Sequence, residues 1–324
     1  MTNPFAGIED EDPLDGLRAR ARLLDGAKRG YAPLRKVFVQ RPADNTVRAS
    51  VLAAMVTARQ ERALDALLLL HALEPVLDHD KPLPLAVWAR MLSSTGERWS
   101  PQNVGRAFEA LEKRNLVTRE AKGRGILVRP KLEDGSGAAW TRPGTDGTTT
   151  GKGYLTIPHN YWTTGLVDRL SLPGKAIFLI MLSETTQNQT FSMAIERAQS
   201  WYGISERTAD RGYKELRTQE AAEGGPLLLE HRQLVADPRS PTGLRAVWHR
   251  ALAEPYSQAA RAELQRATAR AARRASGRST TSAAKPTKKL KKATGTKKAG
   301  TKAAEQASAG QKGAAHSVRK RSPR

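Results

Sequence analysis

Two stretches 105 residues apart share one helical pattern. The first spans residues 99–111 and the second spans residues 204–216. In each, an apolar residue precedes a serine, Ser100 or Ser205, and serine is a preferred N-cap because its side-chain oxygen accepts a hydrogen bond from a free backbone N–H. A shift of 105 carries residues of the first stretch onto the second without a gap: Ser100 onto Ser205, Arg106 onto Arg211, Phe108 onto Tyr213 and Leu111 onto Leu216. Each stretch therefore predicts an amphipathic helix with one buried apolar stripe and one exposed polar face.

The residues around the first stretch predict helices followed by a β-hairpin. Residues 46–77 follow a helix-compatible apolar pattern that fits either one long helix or two, and a shorter helix follows them. The amphipathic helix then runs to a left-handed stop at Asn115. Residues 116–129 read as strand, glycine turn and strand, with Lys122 and Arg124 at the tip.

The second stretch lies in a similar order of elements. A strongly apolar helix is predicted over residues 171–182 and another over residues 191–201, and the second amphipathic helix follows them. Residues 227–248 predict a longer hairpin with Arg239 near its tip.

Charge and composition divide the rest of the chain. Residues 257–324 hold 19 lysines and arginines against two acids, which accounts for +17 of the net charge of +22, and no aromatic residue lies beyond Tyr256. The sequence thus predicts a mainly α fold with small β-hairpins (α+β) and a disordered basic tail. The predicted segments are an N-terminal arm, partly disordered, over 1–44; a first domain over 45–134; a flexible linker over 135–153; a second domain over 154–256; and a tail over 257–324, disordered or helical only when bound.

The exposed faces of the two amphipathic helices carry side chains suited to duplex DNA. Asn, Gln and Arg pair bidentately with adenine or guanine edges, and Lys holds backbone phosphates. The candidates are Gln102, Asn103, Arg106 and Lys113 in the first helix, and Arg207, Arg211, Lys214 and Arg217 in the second. The alternative is that these are solvated faces of ordinary helices. If only one helix binds DNA, the second is favoured because its face is more basic.

The tail predicts a different kind of binding. A polycation without aromatic residues binds phosphates by releasing counterions and reads little sequence. Its candidate contacts are Lys288, Lys289, Lys291, Lys292, Lys297 and Lys298. The alternative is a solvated tail that keeps the chain soluble.

No catalytic or metal-binding motif is complete. The chain has no cysteine, and residues 147–153 are one residue short of a phosphate-binding loop. Residues 78–80 read Asp-His-Asp, but the sequence indicates no fourth ligand that would complete a metal site with them. We expect no enzyme activity, no cofactor and no metal site. The N-terminal residues lack an apolar signal core and no apolar stretch is long enough for a bilayer, so we expect a cytoplasmic, nucleoid-associated protein without a membrane partner.

With these elements, residues 63–253 resemble the tandem winged-helix DNA-binding proteins of bacteria, which include transcription regulators and plasmid replication initiators. The resemblance implies two winged-helix (helix-turn-helix) domains in which the amphipathic helix enters the major groove and the hairpin, or wing, touches the backbone or minor groove. It places groove contacts on Gln102, Asn103, Arg106, Arg207, Arg211 and Lys214, and wing contacts on Lys122, Arg124 and Arg239. From Ser276 onward the chain is similar to the Lys/Ala-rich tails of linker histones, although those proteins have a single folded unit.

The leading prediction is double-stranded DNA binding by a transcription regulator or a replication initiator, with nonspecific affinity from the tail. Replication or transcription proteins are the expected protein partners, and a homodimer remains open. Two alternatives come from other classes. One is a nucleoid-associated architectural protein that binds DNA mainly through its tail, and the other is a protein-interaction adaptor.

Overall fold

The computed structural model describes residues 15–42, 49–78, 80–94, 96–123, 125–144, 153–221 and 224–275. All of them lie in one compact unit, Met1–Ser279. The elements of the first half are α1 (Gly16–Gly26), β1 (Tyr31–Arg35), α2 (Val51–Thr57), α3 (Glu61–Leu73), β2 (Leu83–Pro84), α4 (Leu85–Leu92), α5 (Pro101–Lys113), β3 (Val117–Lys122) and β4 (Gly125–Pro130).

The elements of the second half are β5 (Tyr154–Pro158), α6 (Asn160–Thr163), α7 (Leu166–Arg169), α8 (Leu172–Glu184), α9 (Ala198–Tyr202), α10 (Glu206–Thr218), β6 (Leu228–Ala236), β7 (Leu244–Leu252) and α11 (Gln258–Ala275). The strands form small antiparallel sheets: β1 with β5, β2-β4-β3, and β6 with β7. The predicted mixture of helices with small β-sheets is confirmed.

Both predicted amphipathic helices form, and both begin at the predicted serine. Ser100 Oγ accepts from the backbone N–H of Asn103 at 3.2 Å, and Ser205 Oγ accepts from that of Thr208 at 3.2 Å. After α5, Asn115 adopts the left-handed conformation with φ 57°. The local sequence is sufficient for these features because each depends on residues only a few positions apart.

Residues 15–42 are packed into the fold, whereas the sequence predicts a partly disordered arm over 1–44. Residues 15–42 contribute α1 and the fully buried strand β1, which pairs with β5 in the register Tyr31↔Pro158 to Arg35↔Tyr154. The strand was missed because it has five residues, includes a proline and has a partner more than 100 residues away. Its pairing makes the N-terminal segment part of the core rather than an appendage.

Part of the predicted flexible linker is also packed. Just before it, Glu133 is fully buried and accepts from Arg35 Nη1 at 2.8 Å. Arg35 Nη2 donates to the carbonyl of Thr141 at 2.8 Å, inside the predicted linker. Residues 145–152, which carry most of the loop-like 147–153 segment, lie outside the described residues.

The first part of the predicted tail is a helix docked on the body. In α11 the side chain of Arg261 is 3% exposed and donates to the carbonyls of Leu182 and Thr185, both at 2.9 Å. Burial lowers the pKa of Arg261 to about 10. The guanidinium satisfies carbonyls at the C-terminal end of α8, where a helix lacks its own donors. The sequence predicts a tail over 257–324 that is disordered or helical only when bound, whereas residues 258–275 form a helix docked on the chain itself. Besides Arg261, side-chain hydrogen bonds from Gln265 to Thr156 and from Thr268 to the carbonyl of Arg29 hold this helix in place.

The core is continuous between the two halves. Helices α3 and α8 are its most buried helices, and one cluster of buried apolar residues joins them to α5 and α10. Within it, the rings of Trp88 and Phe108 meet edge to face at 5.1 Å between centroids, and Tyr161 stacks on Phe178 at 5.1 Å. A shared core fixes the orientation of α5 relative to α10. Within the described ranges, none of the helices combines the length and the apolar character needed to cross a bilayer.

Candidate nucleic-acid interface

Helix α5 presents a polar face because its apolar face is buried. Val104, Phe108 and Leu111 are fully buried, as the spacing predicts. The opposite face leaves Gln102 and Arg106 exposed and Asn103 half-buried. These three predicted residues lie on the first two turns of the helix, so their side chains are available to a ligand approaching its N-terminal end.

Helix α10 is arranged in the same way. Ala209, Tyr213 and Leu216 are fully buried, and Arg207 and Arg211 are exposed. The close approach of α10 to α8 requires glycine at position 212, because a Cβ there would lie 2.5 Å from Pro173 O and 2.5 Å from Ile177 Cγ1.

A turn between α2 and α3 lies between the two polar faces. Its central residue, Arg59, lines one cleft together with Asn103 and Arg106 of α5, and a second cleft together with Arg207 and Arg211 of α10. The five residues Arg59, Asn103, Arg106, Arg207 and Arg211 are called the basic face below. Among the residues that the structure describes, none of its four arginine side chains has a hydrogen-bond or ion-pair partner. Four unpaired guanidinium groups form a surface suited to phosphate and base acceptors.

Acidic residues that line the same clefts are paired with cations of the chain. Glu61 lines both clefts, and its Oε1 accepts from Lys175 Nζ at 2.8 Å. Glu97 lines the α5 cleft and forms an ion pair with Arg62 at 2.6 Å. Their repulsion of an anionic ligand is thereby reduced.

Three other predicted cations, Lys113, Lys214 and Arg217, form ion pairs with acidic residues of the chain. Lys113 forms an ion pair with Glu109 at 2.7 Å, and Lys214 forms one with Asp210 at 2.8 Å. Arg217 is held by Glu230 on β6, and this hydrogen bond raises the pKa of Arg217. These acids lie one helical turn away or on the adjacent strand, so the three cations are partly neutralised within the chain.

The hairpins place their predicted residues in different ways. Lys122 is exposed and its Nζ lies 3.4 Å from the carbonyl of Asp80. Arg239 is exposed in the β6–β7 turn, where its backbone N–H donates to Asp237 Oδ1 at 2.9 Å. Arg124 and the lysines of the tail, Lys288, Lys289, Lys291, Lys292, Lys297 and Lys298, lie outside the described residues. The second hairpin also exposes Leu234, Leu244 and Trp248, an apolar character that the sequence did not indicate.

Comparisons with protein-family models, curated proteins and solved structures gave no match. The residues of this chain therefore carry the functional inference alone.

A buried charge network lies beside the basic face. Lys175 of α8 is 3% exposed, and its Nζ contacts Glu61 Oε1 and Asp65 Oδ2 of α3, both at 2.8 Å. Burial raises the pKa of Asp65 to about 6. Burial alone would lower the pKa of Lys175, but the carboxylates of Asp65 and Glu61 more than offset this and raise it. Nearby, the buried Arg20 of α1 forms a bidentate pair with the half-buried side chain of Asp168 of α7.

This network joins the two halves of the chain at the place where the clefts meet. Because α3 packs on α5 and α8 packs on α10, ion pairs between α3 and α8 hold the two amphipathic helices in a fixed relation. The sequence did not indicate the network, since its members are separated by about 110 residues. Among the described residues, no group of three or more His, Asp or Glu side chains is arranged to hold a metal ion.

Proposed function

We propose that this chain binds double-stranded DNA through α5 and α10. The observation that carries the proposal is the basic face, in which both helices turn unpaired cations toward clefts that share Arg59. Two ordinary solvent-exposed helix faces are not expected to border the same arginine. A duplex that lay on this surface would meet both helices together.

The side chains of the basic face suit two kinds of contact. Arg106, Arg207 and Arg211 offer the forked donors that pair with guanine O6 and N7 or with phosphates, and Asn103 offers the donor and acceptor that pair with adenine. The N-terminal ends of helices also favour phosphate oxygens, because their backbone N–H groups are unpaired. We therefore assign sequence preference to α5 and α10. The surrounding cations fix the position of the protein along the DNA backbone.

We assign both halves to the winged-helix class, with α5 and α10 as recognition helices and the β3–β4 and β6–β7 hairpins as wings. The support is the order of elements: in each half, helices precede one capped amphipathic helix, and an antiparallel hairpin follows it. Among proteins of that class, a transcription regulator or a replication initiator suits two unequal modules on one chain. The basic segment beyond α11 then adds nonspecific affinity through phosphate contacts.

Selection of binding sites from random duplexes tests the proposal directly. The full chain should enrich a defined sequence. Arg106→Ala and Arg211→Ala should each weaken binding to that sequence by about tenfold or more and relax its preference, because each removes a base or phosphate contact. Lys113→Ala and Lys214→Ala are matched controls on the same helices, and each should change affinity by less than about threefold because neither residue lines the two clefts. Absence of any enriched sequence, or equal effects in all four variants, would contradict the proposal.

A second candidate is supported by one observation, the concentration of charge in the tail. With +17 of the net charge beyond residue 256, and +12 of it in residues 280–324, an architectural protein that binds DNA mainly through its tail is the alternative. It predicts that removal of residues 280–324 abolishes all DNA binding. The proposed function predicts that the shortened chain keeps its preferred sequence.

A further inference from the structure

The backbone at Arg59 adopts a conformation that normally favours glycine. The residue has φ 53° in the turn that ends α2. The turn closes with two backbone hydrogen bonds, from Arg59 N–H to Val56 O at 3.1 Å and from Gln60 N–H to Met55 O at 2.9 Å. This is the Schellman arrangement, in which the left-handed position is usually glycine because a Cβ is disfavoured there. An arginine at this position therefore destabilises the fold relative to glycine.

No contact inside the described chain offsets that strain. The side chain of Arg59 is exposed and has no partner in the described ranges. Strained backbone positions cluster at functional sites, but Lys28 has the same conformation, so the strain alone does not assign a ligand to Arg59. Arg59 also lines the cleft of α5 and the cleft of α10, which places it between the two helices.

The turn is held rigidly against the first of these helices. Arg114, at the end of α5, donates from Nε to Gln60 Oε1 and from Nη2 to Ala54 O at 3.2 Å. Both acceptors flank Arg59 in the sequence. The position of the Arg59 backbone is thus fixed relative to α5, and an arginine on a fixed turn binds with a smaller loss of conformational entropy than one on a mobile loop.

We propose that Arg59 binds a backbone phosphate of one continuous duplex, between the segment contacted by α5 and the segment contacted by α10. This inference rests on the proposed function and deepens it, because it states that both helices engage the same DNA molecule at once. The contact is a charge-assisted hydrogen bond from the guanidinium to a phosphate oxygen. It supplies affinity and spacing between the two segments but no base recognition.

Lys28 provides a matched control. It is an exposed cation with φ 55° in the turn after α1, and it lines neither cleft. Substitutions at positions 28 and 59 remove the same charge from the same backbone conformation. Any difference in DNA binding between them therefore reports the location of the cation and not its charge or its strain.

The experiment uses the full chain and a duplex enriched from a random library, with binding measured over a range of salt concentrations. Arg59→Ala and Arg59→Gly should each weaken binding by about tenfold, as for one charge-assisted contact, and reduce the slope of log affinity against log salt by about 1. Lys28→Ala and Lys28→Gly should change affinity by less than about twofold and leave the slope unchanged. Arg59→Gly should melt at or above the temperature of the unmodified chain, which separates lost binding from lost folding.

Two further results distinguish failure of this inference from failure of the proposed function. If Arg106→Ala and Arg211→Ala lose binding while Arg59→Ala behaves like Lys28→Ala, the role of Arg59 is refuted and the proposed function stands. If no duplex is enriched, or if none of the arginine variants alters binding, both are refuted.

Discussion

Replacement of Lys175 by methionine probes the buried charge network that joins α3 to α8. The ammonium group lies 2.8 Å from Asp65 Oδ2 and 2.8 Å from Glu61 Oε1. Glu61 is 40% exposed, so solvent screens its contact, and the contact with Asp65 dominates the interaction energy of Lys175. At an effective dielectric constant of about 20, that contact has a Coulomb energy of about 6 kcal/mol, which desolvation partly offsets. We expect a net loss of about 3–5 kcal/mol in the free energy of unfolding at pH 8, the usual result of removing one partner of a buried pair.

The raised pKa of Asp65 determines how the free energy of unfolding changes with pH. The folded-state pKa of Asp65 is about 6, above the ordinary value of 3.8, so the folded chain binds this proton more tightly than the unfolded chain. The contribution of Asp65 therefore destabilises the fold as pH rises from about 4 to about 6, by roughly 3 kcal/mol in total. Lys175 limits this rise in pKa. Without Lys175 the pKa of Asp65 moves higher still, and the decline continues above pH 6 at up to about 1.4 kcal/mol per pH unit.

Urea unfolding followed by tryptophan fluorescence at pH 5, 6.5 and 8 measures the effect. The difference between the unmodified chain and Lys175→Met should be smaller at pH 5 than at pH 8 by up to about 3 kcal/mol. Lys214→Met is the control: its ion pair is exposed, so it should cost less than about 0.5 kcal/mol at every pH. Adding Asp65→Leu to Lys175→Met should recover much of the lost stability. An equal loss at pH 5 and pH 8 would refute the assignment of the effect to Asp65.

Three other outcomes are expected. Gly212→Ala should destabilise the chain by about 1–3 kcal/mol in urea unfolding, because its Cβ would meet Pro173 O and Ile177 Cγ1 at 2.5 Å; a neutral result would contradict the close α8–α10 packing. Gly105→Ala should stabilise by up to about 1 kcal/mol in the same assay, since a Cβ in α5 would meet nothing within 4 Å, and a loss of stability would show the site to be more crowded. Deletion of residues 280–324 should preserve the enriched DNA sequence while making the salt dependence of binding shallower, and complete loss of binding would favour the architectural alternative.

Several features of the fold follow from short segments of sequence. The caps at Ser100 and Ser205 and the left-handed stop at Asn115 involve residues no more than a few positions apart. The apolar stripes of α5 and α10 follow from helical periodicity in the same way. The same reasoning finds four of the five residues of the basic face, because they lie on the polar faces that the repeated pattern predicts: Asn103, Arg106, Arg207 and Arg211.

Tertiary structure decided the features whose parts are far apart in the chain. Strand β1 needs a partner at β5, α11 is anchored by Arg261 on the end of α8, and Lys175 finds its carboxylates on α3. Arg59 showed no periodic or motif signal, and its place between α5 and α10 exists only once helices about 100 residues apart share a core. Periodicity and capping act along the chain, within one or two turns, whereas strand pairing and buried charge pairing depend on which distant segments the folded core brings together.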